Sequence, residues 1–315
     1  MDRSMVADFR PRDFIETHDG LVFAVVDAEL EEGRLTGYLR YHRVDGQLRK
    51  LDTKQAKLHL EMLASDFVFY SKRRDTWVQA VPVEDVMEHY VARDRLQEIL
   101  ATEDEDPISG KLRQWCGWIE KRKIPVDQLG VTGSLLINAQ KQGSDLDVVC
   151  YDLDVFQRLR KVTAELQSAG HLQLLSAEQW KDAYHRRSPA LSFEEYCWHE
   201  QRKLTKALLG STRLDLSLVC PSTAKPVTSK KLGQVSIQAR VTEDSRAFDF
   251  PSRWKVEHEI VSDVICFSAT YTGQVFKGES MEAAGSLEMV DDGSFQLVVG
   301  ANREAPEEFI RFLKH

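Results

Sequence analysis

The sequence predicts a mixed fold: a central α/β domain flanked by a small N-terminal α+β domain and a C-terminal β-rich barrel or sandwich. Three observations carry that expectation. Four consecutive acids closed by proline (Glu103 to Pro107) interrupt the chain after its first third, and such a run neither packs nor continues a helix. Between 107 and 220, segments of helical spacing alternate with short apolar strands, the pattern of an α/β layer. Beyond 225 helical periodicity fades and strand-like runs separated by glycines take over. The expected domains are therefore 1–106, 107–224 and 225–315, a number that suits a chain of 315 residues.

In the first domain, 21–26 is a short apolar run expected to form a buried strand, and strands follow at 35–42 and 47–51 around the turn Val44-Asp45-Gly46. Residues 53–63 place Ala56, Leu60 and Leu63 at helical spacing behind Thr53, a suitable N-cap. Strands at 67–70 and 77–81 and a helix at 83–100 complete it. The second domain reads as a helix at 108–123, a strand at 128–131, a turn at Thr132-Gly133-Ser134 leading into a short helix, and a strand at 145–151. A helix at 153–168, a short strand at 171–175, helices at 177–187 and 192–209, and a strand at 213–219 follow. The third domain shows strands at 235–241, 254–259, 264–270, 284–289 and 295–299, then a short helix at 306–313.

One stretch of the second domain carries chemistry. Gly130-Val-Thr-Gly-Ser134 is followed, after ten residues, by Asp145-Leu-Asp147. Gly133 has no Cβ, so the backbone turns sharply and approaches a phosphate closely. Ser134, at the expected start of a helix, offers a hydroxyl and free N–H groups at the positive helix end. Asp145 and Asp147 are two apart on a strand, so their carboxylates leave the same face while Leu146 and Val148 turn to the core. Adjacent acids repel, and a divalent cation relieves that repulsion. A third acid stands in Arg213-Leu-Asp-Leu-Ser-Leu-Val219, where strict alternation puts Asp215 opposite the leucines. Arg202 and Lys206, one turn apart on the expected helix, are in reach of a triphosphate; the same spacing fits a solvated helix face beside Glu195 and Glu200. Trp115, Trp118 and Trp180 suit core packing or base stacking.

Charge and composition narrow the function classes. The net charge is −8, but residues 107–220 hold 16 Lys and Arg against 13 Asp and Glu, while 1–106 hold 15 against 23. The middle of the chain alone is net basic, which suits an anionic small substrate and excludes an extended duplex-binding stripe. The five cysteines are scattered and form neither CxxC pairs nor zinc-finger spacings with histidine. No apolar run reaches the roughly 20 residues that span a bilayer, and the first 13 residues lack a signal-peptide core. The expectation is a soluble, cytoplasmic protein with no membrane partner.

Gly133 and Ser134, the ten-residue spacer, Asp145-x-Asp147 and the later Asp215 resemble the pattern of the DNA polymerase beta-like nucleotidyltransferase superfamily over roughly residues 107–220. The arrangement with flanking domains is similar to predicted archaeal nucleotidyltransferases without an assigned substrate. The resemblance implies that Asp145, Asp147 and Asp215 hold two Mg²⁺ or Mn²⁺ ions. It also implies that Gly133 and Ser134 meet the phosphates of a nucleoside triphosphate, and that a nucleoside monophosphate passes to an acceptor hydroxyl on RNA, a protein or a small molecule. The alternative expectations are a non-catalytic nucleotide- or RNA-binding module on the same fold, and an interaction protein.

Overall fold

The computed structural model describes residues 8–63, 65–103, 105–187, 189–220, 228–300 and 307–313. The protein is mixed α/β, with several sheets and six α-helices among the described residues. It divides into two compact units, Met1–Arg113 with Leu129–Val149, and Gln114–Gln128 with Cys150–His315. No helix among the described residues is long and apolar enough to cross a membrane.

The first unit opens with strands β1 (Phe14–Thr17), β2 (Leu21–Val25), β3 (Arg34–Val44) and β4 (Gln47–Lys50), then helix α1 (Thr53–Leu63). Strands β5 (Val68–Ser71), β6 (Thr76–Pro82) and β7 (Val86–Tyr90) and helix α2 (Ala92–Ala101) follow. The sheet runs β5-β6-β3-β2-β1-β7, with β4 on β3, and its pairings are antiparallel. Asp45 and Gly46 take φ of 51° and 76° between β3 and β4, as a two-residue hairpin turn requires. Ala56 and Leu60 of α1 close the core with Ile15, Phe23, Leu35, Leu39 and Val81. Each large apolar side chain so buried contributes about 1.5–3 kcal/mol.

One expectation fails here. The span 83–100, expected as one helix, is a single 3-10 turn, strand β7 and helix α2. Strand β1, which the sequence reading did not separate from the N-terminal coil, supplies β7 with its ladder. Distant pairing thereby overrides local helix propensity. Helix α3 (Pro107–Glu120) comes next, followed by strands β8 (Leu129–Thr132) and β9 (Leu146–Cys150), which are hydrogen-bonded neighbours.

The second unit contains helices α4 (Leu153–Ser168), α5 (Ala177–Arg187) and α6 (Phe193–Lys203) and strands β10 (Lys206–Leu209) and β11 (Thr212–Leu218). Asp152 caps α4 by accepting from the Val155 N–H at 2.8 Å, worth about 1 kcal/mol. Ser192 and Glu195 form a reciprocal capping box at the start of α6. Trp180 and Ala183 of α5 pack on Tyr196 of α6 and Leu208 of β10. Here too the expectation of one helix over 192–209 is corrected. Leu204 takes the left-handed conformation, φ 54° and ψ 33°, and ends α6. The chain then turns into β10, whose apolar Ala207, Leu208 and Leu209 are buried beside β11. Of the short strand expected at 171–175, only an isolated bridge from Gln173 to Leu208 forms.

The rest of this unit is β-rich: β12 (Ser229–Arg246), β13 (Ser252–Glu257), β14 (Val261–Cys266), β15 (Ser280–Val290), β16 (Phe295–Val299) and β17 (Phe309–Phe312). Their order is β12-β13-β14-β16-β15-β17, and β12 also pairs with β15. The pairings of β12 through β16 thus close on themselves and protect strand edges that would otherwise invite association. Trp254 is fully buried and donates its indole N–H to the Val275 carbonyl at 2.8 Å. The helix expected at 306–313 begins outside the described residues, and Phe309–Phe312 forms β17 against β15. Residues of either period fit so short a run, and the open ladder of β15 decides.

Candidate active site

In the first unit β8 is buried along its whole length. Gly130 lies so near α2 that a Cβ there would stand 2.8 Å from the Ala92 carbonyl carbon. The Thr132 hydroxyl donates to the Arg12 carbonyl at 2.6 Å. The chain then bends at Gly133, φ 69°. Residues 133–138 form a run of turns, closed by the Ala139 N–H donating to the Ser134 carbonyl at 2.8 Å. The short helix expected after Ser134 is therefore replaced by turns. Leu136 and Ile137 anchor the run in a cluster with Phe14, Val22 and Tyr41. Arg95 ties it down through the Leu135 carbonyl at 3.2 Å and the Asn138 side chain.

This anchoring brings the turn against the second acid of the motif. A Cβ on Gly133 would lie 2.4 Å from Asp147 Oδ2. Asp147 is half-buried on β9 and Asp145 half-buried just before it, with Leu146 and Val148 buried between and beyond. Tyr41, which the sequence reading did not single out, stands in the electrostatic field of Asp147. Burial raises its phenol above the usual range, Arg40 opposes that, and the Asp147 charge adds to it. Nothing in the sequence near Tyr41 advertises this proximity; it arises from the packing of β3 with the 133–138 turns.

In the second unit Leu214, Leu216 and Leu218 are buried while Arg213, Asp215 and Ser217 are half-buried, the alternation expected of a one-sided strand. Lys206 stands directly across the β10–β11 ladder from Asp215. Its ammonium is 3.9 Å from Asp215 Oδ1 but 2.7 Å from Glu200 Oε2. Asp215 Oδ1 is buried and has no hydrogen-bond partner among the described residues. Glu200, 3% exposed, also accepts from the Lys203 ammonium at 2.5 Å, and Lys203 donates in turn to the Thr270 carbonyl at 2.9 Å. Burial would raise the Glu200 carboxyl, yet Lys203 and Lys206 hold it well below the usual carboxylate range. Burial brings Lys203 down to about 8, against the pull of Glu200.

Arg202 is placed elsewhere. Its guanidinium donates to Glu279 and lies over the rings of Trp198 and Phe276, 4.5 and 4.4 Å from their centroids. It fastens α6 to the β-rich part of the same unit. Trp115 and Trp180 are buried, as core packing requires, and Trp118 packs beside His171 with ring centroids 4.9 Å apart.

His199, on the same helix, is 2% exposed, with its Nδ1 3.1 Å from the Gln274 carbonyl oxygen. Burial, with Lys203 and Arg202 adding to it, pushes its pKa down to about 3. A folded value below the unfolded one leaves stability complete above about pH 6.5 and removes it as pH falls toward the folded value. Between pH 7 and 5 this histidine is expected to cost about 2 kcal/mol of stability. Denaturant titrations at the two pH values check it: His199→Gln should shrink the pH difference by that amount, and an unchanged difference contradicts the assignment.

Among the described residues no three His, Cys, Asp or Glu side chains are gathered as a preformed metal cage. The chemistry of the motif acids is oxygen-only, which suits Mg²⁺ or Mn²⁺ rather than zinc.

No family model matches the chain. No solved structure matches it. Uncharacterized protein MJ1086 of Methanocaldococcus jannaschii is 31% identical, over 96% of this chain and 98% of that protein. At that identity, along almost the full length of both proteins, the chain belongs to the family of MJ1086.

Proposed function

We propose that the protein is a metal-dependent nucleotidyltransferase with a polymerase beta-like core, moving a nucleoside monophosphate from a triphosphate to an acceptor hydroxyl. The observation that carries this reading is the apposition of Gly133 and Asp147. Residues 14 apart in sequence are packed so closely that a single methyl group would strike the carboxylate. A glycine turn pressed against a half-buried acid is what a phosphate–metal site needs, and a purely structural turn does not require it. Asp215 Oδ1 is a second support: it is buried with no hydrogen-bond donor among the described residues, the Lys206 ammonium stands 3.9 Å from it, and a metal cation would satisfy it. The lack of a three-carboxylate cage among the described residues is compatible with magnesium, which is commonly held by one or two carboxylates together with substrate phosphates.

In this reading Asp145 and Asp147 would hold the ion that arrives with the triphosphate, and Asp215 is a carboxylate able to take a metal ion through its Oδ1. When bound, the ions neutralise the phosphate oxygens and stabilise the in-line transfer. Without a side chain Gly133 would let the phosphates approach the backbone beside Asp147, and the Ser134 hydroxyl would orient one of them. The acceptor hydroxyl oxygen attacks the α-phosphorus, and its proton passes to solvent. The α–β phosphoanhydride bond then breaks and pyrophosphate leaves. RNA ends, protein side chains and small alcohols are the acceptor classes to screen.

The test is label transfer in the presence of Mg²⁺. Label at the α-phosphorus should become acceptor-bound while label at the γ-position leaves in pyrophosphate, and chelation should stop both. Equal labelling by wild type and an Asp145→Ala/Asp147→Ala protein would remove the catalytic claim.

A further inference from the structure

We infer that Glu200 is a positioning residue that holds Lys206 away from Asp215 and so keeps that carboxylate available to a metal ion; the inference rests on the metal-site reading of Asp215. Lys206 and Asp215 are direct cross-strand partners on β10 and β11. Opposite charges at such a position ordinarily pair with each other, since facing Cβ atoms are about 5 Å apart and a lysine reaches easily across. Here they do not close. The ammonium is drawn to Glu200 Oε2 at 2.7 Å and stops 3.9 Å short of Asp215 Oδ1. The oxygen it fails to reach is buried and has no hydrogen-bond donor among the described residues.

The diversion is built by the chain reversal at Leu204. Its left-handed conformation ends α6 and folds β10 back, so residue 200 on the last helical turns meets residue 206 on the strand. Glu200 is in turn locked by Lys203, whose ammonium binds its Oε1 and the Thr270 carbonyl. At 3% exposure this carboxylate cannot trade its lysines for water. Lys206 therefore has a fixed, stronger acceptor beside it, and Asp215 keeps a nearby positive charge without being capped by it.

Replacing the charge tests the tether. In metal-free crystals of Glu200→Gln, Lys206 Nζ is expected to move within about 3 Å of Asp215 Oδ1. Affinity for Mn²⁺, read by calorimetry or paramagnetic resonance on the full-length protein, should fall about tenfold. Removing the ammonium as well, in Glu200→Gln/Lys206→Met, should restore Mn²⁺ binding, which a general loss of packing would not do. Lys206→Met alone should raise Mn²⁺ affinity no more than about threefold, because the tethered lysine is not competing. A rise of tenfold or more in that variant overturns the inference, even if Glu200→Gln fails to fold. So does a Glu200→Gln protein in which Lys206 stays put and Mn²⁺ affinity is unchanged. Asp215→Asn separates the two levels. If it binds Mn²⁺ as well as wild type, the metal-site reading fails, whereas the lysine position still reports on the tether.

Discussion

Asp147→Asn should lower α-label transfer by at least about a thousandfold while the protein stays folded. The asparagine keeps the shape of the side chain and removes the charge that would bind the ion. A lost metal contact in the transition state is worth several kcal/mol, and about 4 kcal/mol corresponds to three decades in rate. Asp145→Asn should behave in the same way, and the double variant should fall little below either single one, because residues that act as one unit lose their effect together. Circular dichroism and a melting curve establish that the fold is kept. Turnover within tenfold of wild type in the double variant would mean that these carboxylates hold no catalytic ion.

Gly133→Ala should lose about a hundredfold in transfer and about 1–2 kcal/mol in stability, for separable reasons. The stability term comes from the backbone: φ of 69° is left-handed, where an L side chain costs about 1–2 kcal/mol. The rate term comes from Asp147. The new methyl would stand 2.4 Å from Oδ2, and the carboxylate is the group able to rotate away. A displacement on the order of 1 Å at a reacting centre costs about two decades. Gly143→Ala provides the control. Its φ is 89°, yet nothing lies within 4 Å of its added Cβ, so it should show the stability loss without the loss of rate. Equal activity of the two alanine variants would mean that the apposition of Gly133 and Asp147 has no part in the chemistry.

Legibility in the sequence followed the range of the interactions that decide each element. Helix α4 and strand β11 were readable because one local pattern accounts for them: the leucines at 214, 216 and 218, or the apolar face of 153–168. Strands β7, β10 and β17 were not, since each is a short run that also fits a helix: β7 and β17 are settled by ladder partners far away in the chain, and β10 by the left-handed break at Leu204 that turns it into a hairpin with β11. The same distinction governs the candidate site. Gly133, Asp145 and Asp147 stand out because spacing and residue type are local properties. Tyr41 near Asp147, and Glu200 holding two lysines, depend on tertiary packing and on one left-handed residue, Leu204, whose conformation its own identity does not suggest. The helix expected after Ser134 failed for a related reason: Leu135, Leu136 and Ile137 are all buried, which a one-sided helical face could not satisfy.

The central claim is that Asp145 and Asp147 bind a divalent ion together with a triphosphate at the Gly133 turn. A crystal of the protein soaked with Mg²⁺ and a non-hydrolysable nucleoside triphosphate tests it most directly. The predicted density has at least one ion bridging both carboxylates to phosphate oxygens, with the phosphates against residues 133 and 134. A nucleotide bound elsewhere, or phosphates at the turn with no ion on either aspartate, would contradict it.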